Sequence, residues 1–527
     1  MDGIGGLIAG VSRSTTELYK VPLALVAVGL ALAWHRIPSV RRMQALVALT
    51  LVACMNYGRW GTETLLARVD TYDLVHYYLN AKYFDELGYY DLYPAVILVD
   101  HENGGPAYQE PTKYLAQDET GHHREPIQHA LDRGAALKTT TFTPERWAAF
   151  THDALVLQRE ITGFDRQKDL WSEMIQDHGF NGTPAWTAVA KPIASAVPVE
   201  AVKWLGFIDV ALLAAAIGAV GWAYGVEGAL WTTLFLAVTY STRWPTITWA
   251  FLRYDWIAAL IAATALLRKE KHLAAGLLTG WAGASRLFPA MWLWGPAFKG
   301  LAGLTRRVVS RPLLMLAGGA LVGAAVSIAA AVAVHGPEHV RVHLENMEDH
   351  NSAEQLSSRR IGLAQAISWD GALLPKNISK ERKALIDQQS TLRYGLAAGW
   401  LVFMGVAMRK LRDDETFGFG FLPFFLLTTA SYYYYVARAT LIVVHAGGLD
   451  RWRNRVGLAM LLGLEAFSNG SEVWLPGYRM FLIGGLAWGL TAYAVVMGVW
   501  IAWESWSSAD PATVEKVARK PRKKKAA

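Results

Sequence analysis

Two aspartates, a histidine and a tyrosine follow directly on an apolar segment near the start of the chain. Asp70, Asp73 and Tyr77 have the i, i+3, i+7 spacing that places side chains on one face of a helix, and His76 shares a face with Asp73. A carboxylate within hydrogen-bond reach of a hydroxyl can act as its general base. We therefore predict that Asp73 is a catalytic base, with Asp70 as a competing candidate. The alternative is that one of the aspartates only caps a short amphipathic helix on the membrane surface.

Charged side chains inside apolar segments are the second group of candidates. A charge at the centre of a bilayer costs at least about 2.5 kcal/mol, so such residues tend to mark function. Arg286 separates two short apolar runs, 273–285 and 287–299, whose recessed junction would form a polar pocket where an arginine can bind phosphate oxygens. The alternative for each residue is an ion pair near a helix end, or snorkelling to the headgroups. The set comprises Arg253, Arg286, Arg438 and His445, with the acidic Asp209 and Asp255.

The composition explains why these segments are expected to lie in a membrane. Of the 527 residues, 53% are hydrophobic and 22 are tryptophan, which is typical of a polytopic membrane protein. The net charge of +7 is concentrated in short basic clusters between apolar runs, so it reports topology and argues against nucleic-acid binding. The single cysteine, Cys54, cannot form an internal disulfide, and no cleavable signal peptide is expected.

About thirteen apolar segments qualify as membrane crossings. They cover residues 21–35, 43–61, 204–224, 227–242, 246–267, 273–285, 287–299, 313–334, 392–409, 416–435, 437–450, 454–469 and 479–503. With this number of crossings, all the basic clusters fall on one side, which the positive-inside rule assigns to the cytoplasm. We therefore expect an exterior amino terminus, a cytoplasmic carboxyl terminus and two exoplasmic loops.

The crossings divide the chain into six parts. These are an N-terminal transmembrane hairpin (1–61), an exoplasmic loop subdomain with the catalytic motif (62–203), central transmembrane helices (204–334), a second exoplasmic loop (335–391), C-terminal transmembrane helices (392–503) and a basic cytoplasmic tail (504–527). Helix-like spacing over 143–160 and 166–178, with a helix start at Thr143-Pro144-Glu145, predicts a small, mostly helical subdomain.

The second exoplasmic loop has two interpretations. It carries Arg341, Arg359 and Arg360 ahead of Ile361-Gly362-Leu363. One interpretation is a lid that closes over a substrate, and the other is an ordinary polar connection.

The stretch from Asp73 to Tyr93 resembles a pattern in the first exoplasmic loop of the GT-C superfamily, "Asp-Leu-x-Val-Tyr … Ala … Leu-x-Gly-x-x-Leu-Tyr". Within that superfamily, the chain resembles the polyprenyl-phosphate-dependent mannosyl- and arabinosyltransferases of glycosyltransferase family 87, over roughly residues 43–450. Three further segments carry the resemblance: the Gly-rich helix from Gly276 to Gly280, the basic residue and proline in Arg286-Leu-Phe-Pro289, and Ser431–Tyr435 with His445 downstream.

The resemblance implies an all-α polytopic membrane protein with a GT-C-like helix bundle and an inverting mechanism. The family's acidic loop residue, here Asp73, would take the proton of the acceptor hydroxyl. Arg286, helped by Arg253 or Arg438, would then neutralise the leaving phosphate, so neither a metal nor another cofactor is expected. The sequence departs from the family pattern at His76, which occupies a variable position, in the length of its first loop, and in the extra crossing at 21–35.

The remaining substrate-binding candidates come from the same comparison. Glu348-Asp349-His350 in the second loop resembles the acidic pair of metal-dependent relatives that glycosylate protein. The full substrate-binding set is therefore Asp70, His76, Tyr77, Arg253, Arg286, His350, Arg438 and His445.

These observations favour a hexosyl- or pentosyltransferase that uses a polyprenyl-phosphate sugar donor and a lipid, glycan or protein acceptor. We expect it among the lipids of a bacterial inner membrane, with its active site facing the periplasm or exterior, in glycan biosynthesis for the cell envelope. A transporter or lipid flippase with a polar path of buried charges is the alternative, although such sites tend to lie near the bilayer midplane. A noncatalytic scaffold that binds a partner through loop 62–203 is a third possibility.

Overall fold

The computed structural model describes residues 13–58, 60, 71–105, 113–158, 174–177, 179–242, 251–350, 359–369, 371 and 380–507. Within these ranges the chain is almost entirely helical, with two short two-stranded sheets. The elements up to the first long central helix are α1 (Arg13–Leu32), α2 (Ser39–Tyr57), α3 (Thr71–Leu74), α4 (Asn80–Lys82), α5 (Phe84–Leu87), α6 (Leu92–Glu102), β1 (Lys113–Asp118), β2 (Gly121–Pro126), α7 (Ile127–Thr140), α8 (Pro144–Val156) and α9 (Pro184–Ala196).

The rest of the chain forms the main helix bundle. Its elements are α10 (Gly206–Val238), α11 (Asp255–Arg268), α12 (His272–Arg286), α13 (Trp294–Leu304), α14 (Arg311–His335), α15 (Pro337–His350), β3 (Arg360–Ile361), α16 (Leu363–Ser368), α17 (Lys380–Gln388), α18 (Ser390–Ala407), α19 (Asp413–Gly418), α20 (Phe421–Leu427), β4 (Ala430–Ser431), α21 (Ala439–Ala446), α22 (Trp452–Trp474) and α23 (Arg479–Ser507). Tighter 3-10 turns cover Val199–Leu205, Tyr240–Thr242, Phe288–Leu293, Met408–Lys410 and Tyr432–Arg438, and a π-helical turn covers Val75–Leu79.

The described part of loop 62–203, which we call the loop subdomain, folds around its own core. Aromatic rings fill this core, including the buried Phe84, Phe150, Phe180 and Trp186. Most of it is helical, as expected, and α8 begins where predicted because the Thr143 hydroxyl accepts a hydrogen bond from the backbone N–H of Arg146. The predicted helix at 166–178 lies mostly outside the described residues.

The antiparallel hairpin β1–β2 in the loop subdomain was not predicted. Its pairing runs from Lys113 opposite Pro126 to Asp118 opposite Gly121. Strand β1 buries Tyr114 and Ala116 by alternation, but β2, with the sequence Gly-His-His-Arg-Glu-Pro, has no apolar alternation to indicate a strand.

Five helical segments in the described residues are long and apolar enough to cross a membrane, which supports an all-α membrane protein. They are Thr15–Leu32, Val199–Val238, Arg311–His335, Ser390–Lys410 and Arg479–Ser507. Several other predicted crossings coincide with shorter helices. Helix α11, for example, has 14 residues, and at 1.5 Å per residue it is about 20 Å long, less than the roughly 30 Å of a bilayer core. The count of thirteen therefore stays a prediction.

Helix α10 bends sharply at Gly225, between the two crossings predicted at 204–224 and 227–242. Gly225 has φ 79°, a conformation that favours glycine. A Cβ on Gly221 would contact Ala229 at 3.6 Å, and one on Gly228 would contact Val220 at 3.5 Å. Residues eight apart in a straight helix are about 12 Å apart along its axis, so these contacts require the chain to double back at Gly225.

Helices α12 and α14 pack with their backbones in contact, through glycines at four-residue spacing on both helices. A Cβ on Gly276 or Gly280 would overlap the carbonyl oxygens of Leu316 or Ala320 in α14, and one on Gly319 or Gly323 would overlap carbonyl oxygens of α12. Small residues at this spacing let membrane helices approach closely. This packing fixes the path of α12, which ends at Arg286.

At the end of the bundle opposite the loop subdomain, three acidic residues lie among basic loops. Asp413, Asp414 and Glu415 open α19. Their carboxylates contact basic side chains from several loops and neighbouring helices: Arg268, His272, Lys299, Arg412, Arg451 and Arg453. Three basic loops, which carry Arg268, Arg412 and the pair Arg451 and Arg453, thus meet at one end of the molecule.

Candidate functional site

Asp73 lies in the first turn of the loop subdomain, directly before the π-helical turn. The whole stretch from Asp73 to Ala81 is buried, and Asp73 is 5% exposed. Its Oδ1 atom is 3.1 Å from Nε of Arg253, which belongs to the bundle. Single π-helical turns are rare and often occur at functional sites. The predicted base is thus held at the junction of the loop subdomain and the bundle.

Arg253 sits in a strained turn just before α11. Leu252 has φ 50°, the left-handed region that bulky residues rarely adopt. Both oxygens of the Asp209 carboxylate accept backbone N–H groups of this turn, from Arg253 at 2.9 Å and from Tyr254 at 3.0 Å. Asp209, one of the buried charges noted in the sequence, therefore fixes the backbone that carries Arg253.

Arg286 is held beside the same turn from the end of α12. Its Nη1 donates to the carbonyl oxygen of Ser285 at 2.9 Å, and its Nη2 donates to the carbonyl oxygen of Leu252 at 3.3 Å. Its Nη2 is also 3.9 Å from Oδ1 of Asp255, whose Oδ2 accepts the Ser285 hydroxyl at 2.7 Å. The two arginines therefore share one short backbone segment as their support.

Aromatic rings enclose the arginines. The Arg253 guanidinium lies 4.7 Å from the Tyr77 ring centroid and 5.1 Å from that of Tyr433. A narrow cavity beside Arg253 and Arg286 has room for about one water molecule. It is lined by Arg253, Tyr254, Trp256, Arg286, Tyr433, Tyr434 and Val436. The Ser431–Tyr435 segment, which the sequence analysis connected with the family pattern, thus supplies one wall of this cavity.

His76 and Tyr77 connect the site to the far part of the loop subdomain. His76 Nε2 hydrogen-bonds the Tyr93 hydroxyl at 2.7 Å, and that hydroxyl accepts the backbone N–H of Gly179 at 3.2 Å. The Tyr77 hydroxyl donates to Oδ1 of Asn181 at 2.7 Å. These bonds hold the segment around residues 179–186 against the π-helical turn.

Burial and the neighbouring charges act on the pKa of the Asp73 carboxyl in opposite directions. Burial raises the pKa of the Asp73 carboxyl above its ordinary value, while the positive charges of Arg253, His76 and Arg286 oppose that rise. Burial also raises the pKa of Tyr77 to about 12, so its hydroxyl stays protonated at neutral pH. The protonation state of Asp73 therefore depends on where the guanidinium groups are.

Of the residues that the sequence analysis selected, the structure brings Asp73, His76, Tyr77, Arg253 and Arg286 together. It does not bring Arg438 or His445 to them. The Arg438 guanidinium pairs with Oε1 of Glu465 at 2.9 Å inside the bundle. His445 hydrogen-bonds the Tyr493 hydroxyl at 2.7 Å and Oδ1 of Asn454 at 3.2 Å. Both have partners in the bundle core and do not line the cavity between Arg253 and Arg286.

Two of the predicted site residues cannot be placed. Asp70 and the side chain of His350 lie outside the described residues. In the part of the chain that is described, no group of three or more His, Cys, Asp or Glu side chains is arranged to hold a metal ion.

Histidines at the edge of the site were missed. His335, His339 and His343 recur every four residues, but Gly336, with φ 83°, ends α14 after His335, so only His339 and His343 share a helix, α15. Their rings contact the loop subdomain at Phe84 and Tyr89, and burial, with a smaller effect of the Arg286 charge, lowers the pKa of His343 to about 4. Rings from the end of α14 and from α15 thus pack against the loop subdomain at the edge of the site.

Arg360 was noted only as a possible lid charge. It is buried and pairs with Ser431 across the β3–β4 ribbon, and Tyr433, Tyr434 and Asp177 lie within its electrostatic reach. The second loop therefore contributes a third guanidinium near the tyrosines of the cavity wall.

Compared with known proteins, the chain matches no family model, no curated protein and no solved structure.

Proposed function

We propose that this protein is an inverting glycosyltransferase that moves a sugar from a polyprenyl-phosphate donor to an acceptor hydroxyl at the exoplasmic face of a membrane. One observation carries the proposal. A buried carboxylate from the loop subdomain, Asp73, contacts Arg253 and lies within the field of Arg286, both from the membrane-embedded bundle. A base and two phosphate-binding groups from distant segments are the parts that such a transfer needs.

The reaction assigns one task to each charge. Asp73 removes the proton from the acceptor hydroxyl, whose oxygen forms a bond to the anomeric carbon of the sugar. On the opposite face of that carbon, the bond to the phosphate oxygen breaks and the electron pair leaves with the polyprenyl phosphate. Arg286 and Arg253 bind the phosphate oxygens as their charge grows, because planar guanidinium donors match phosphate geometry.

The contact between Asp73 and Arg253 suggests how the base becomes active. In the structure the Arg253 guanidinium lies against the Asp73 carboxylate and lines the narrow cavity. A donor phosphate that enters between the arginines competes for Arg253. Once Arg253 turns to the phosphate, Asp73 loses its largest stabilising charge and its pKa rises, so it accepts a proton more readily.

A transporter or lipid flippase, the alternative left open by the sequence, would use buried charges along a polar path. The polar side chains deeper in the bundle have local partners instead, as in the ion pair of Arg438 with Glu465 and the hydrogen bonds of His445. We therefore favour group transfer at the junction with the loop subdomain.

The test is transfer of labelled sugar by the purified full-length protein from a panel of short-chain polyprenyl-phosphate hexoses and pentoses, with membrane lipid extract as acceptor. We expect one donor to be consumed, with inversion at the anomeric carbon of the product. If no donor in the panel is bound or turned over, or if the anomeric configuration is retained, the proposal is wrong. Movement of labelled lipid across vesicles without transfer would instead support the flippase.

A further inference from the structure

A second cavity lies on the same end of the molecule as the loop subdomain, at the start of α18. It has a volume of about 400 Å³, within the range of about 300–1,000 Å³ that is usual for small-molecule sites. It is bounded by α16, the end of α17, the first turn of α18 and residues 426–429. None of the predicted site residues lines it.

The lining combines an apolar floor with a polar rim. Ala364, Ile386 and Leu426 form the buried floor. The rim includes Asp387, Ser390 and Arg393, which follow at three-residue intervals from the end of α17 into α18 and all line the cavity. Tyr394, Thr428 and Thr429 add three more hydroxyls.

This chemistry selects a class of ligand. Asp387 and Arg393 give the rim one negative and one positive charge, so the cavity has no net charge to favour a phosphate or an ammonium group. A carboxylate accepts hydrogen bonds, a guanidinium donates them, and hydroxyls do both. Such a set matches a neutral molecule that bears many hydroxyls, which is a sugar. The Arg393 guanidinium also lies 4.5 Å from the Tyr394 ring centroid, so the two side chains support each other.

The cavity is connected to the site of Asp73 and Arg253 by one short stretch of chain. Thr429 lines the cavity and Tyr433 lines the space between the arginines. Four residues of extended chain span at most about 14 Å, so the two linings are close. The β3–β4 ribbon lies between them, and Gly362 approaches it so closely that a Cβ would overlap the carbonyl oxygen of Thr428.

We infer that this cavity binds a neutral sugar unit of the acceptor, at a distance from its reacting hydroxyl. The inference rests on the proposed function and adds that the acceptor is a glycan, either free or carried by a lipid. Binding energy from such a remote unit positions the reacting group and selects the acceptor.

The experiment uses the full-length protein in nanodiscs of neutral lipid and measures saturation-transfer NMR with mannotriose, arabinotriose and maltotriose, each free and with a lipid tail. We expect at least one trisaccharide to bind. Asp387→Asn and Arg393→Gln should each weaken its binding about tenfold, whereas Leu392→Ala, an exposed neighbour outside the lining, should not change it. If only the trisaccharide with a lipid tail binds, the acceptor is a lipid-linked glycan. If the free and tailed forms bind equally, the sugar alone is sufficient for binding.

The inference is overturned if no trisaccharide binds in either form, or if binding survives both cavity substitutions. Its failure is distinguishable from failure of the proposed function. Asp73→Asn should keep trisaccharide binding and lose transfer. If Asp73→Asn keeps transfer while the cavity variants lose binding, the catalytic proposal fails and the sugar site stands.

Discussion

The Nε atom of Arg253 lies 3.1 Å from Oδ1 of Asp73, and the two side chains are 9% and 6% exposed. A buried ion pair of this kind contributes little net stability, because the cost of removing both charges from water offsets their attraction. Its value here is that one partner can be exchanged. A phosphate that replaces the carboxylate at Arg253 keeps the guanidinium paired and releases a base.

The acid side of the pH profile should report Asp73. Burial raises the pKa of this carboxyl above 3.8, and a base acts only when it is deprotonated, so kcat/KM should fall as the pH drops through the raised pKa. Arg253→Gln removes the largest opposing charge and should move this loss to higher pH. The exposed Arg341→Gln should not move it. If kcat/KM of Arg253→Gln falls at the same pH as that of the wild type, or at a lower pH, the assignment of Asp73 as the base is contradicted.

The proposed move of Arg253 from Asp73 to the donor phosphate predicts that the kcat/KM and kcat profiles of the wild-type protein differ in their pH dependence. The kcat/KM profile reports the free enzyme, where Arg253 contacts Asp73, and the kcat profile reports the complex. Because Arg253 faces the phosphate in the complex, the acid loss of kcat should occur at higher pH than that of kcat/KM. Both profiles come from one series of initial rates. Coincident profiles would show that Arg253 stays with the carboxylate.

Arg286 should act on the leaving phosphate. Arg286→Gln keeps some hydrogen bonding but removes the charge, so kcat should fall about 100-fold or more. Arg286→Lys restores a point charge without the planar donors and should recover part of this loss. Steady-state rates at saturating donor measure both. Equal rates for Gln and Lys would show that the charge of Arg286 does not act in the rate-limiting step.

Asp209 should position Arg253 without touching the substrate. Asp209→Ala leaves the backbone N–H groups of Arg253 and Tyr254 without their acceptors, and an unmet buried donor costs about 1–3 kcal/mol. We expect a lower melting temperature and a lower kcat. Asp209→Asn, which keeps one acceptor oxygen, should lie between the wild type and Asp209→Ala in both. A melting temperature that falls while kcat and the pH profile stay unchanged would limit Asp209 to stability.

The contact of α12 with α14 should be intolerant of side chains. Gly280→Leu would force the helices apart, because a Cβ there already overlaps the Ala320 carbonyl oxygen. Overpacking of this kind costs about 1–3 kcal/mol, and it should also displace Arg286 and reduce transfer. Gly318→Ala is the matched control, since nothing lies within 4 Å of its added Cβ. Thermal unfolding and activity of the two variants should diverge, and equal melting temperatures would refute the tight packing.

The sequence was informative where a residue type is costly in its surroundings. Asp73, Arg253 and Arg286 stood out because charges are rare next to or inside apolar segments, and the structure brings them together. Arg438 was selected for the same reason, but its guanidinium forms a buried ion pair with Glu465, which lies in another apolar segment. Pattern alone cannot distinguish a structural ion pair from a site, because both leave the same signal.

Other features depend on contacts between distant segments and leave no local signal. The strained turn at Leu252 is fixed by Asp209 from α10, and nothing in its own residues predicts it. The cavity beside α18 is lined by residues with ordinary surface composition, and only the fold assembles them. The reversal of the chain at Gly225 was partly predictable. The sequence shows a glycine between two apolar runs, but it does not show the φ of 79° that this glycine adopts.

The most direct test of the account separates binding from chemistry at Asp73. Donor dissociation constants and single-turnover rates would be measured for the wild type, Asp73→Asn and the matched Asp85→Asn, whose carboxylate is exposed in the loop subdomain. We predict that Asp73→Asn binds donor as tightly as wild type or more so, because Arg253 no longer has a competing carboxylate, while its transfer rate falls at least about 100-fold. Asp85→Asn should match the wild type in both. Transfer by Asp73→Asn at the wild-type rate would contradict the central claim.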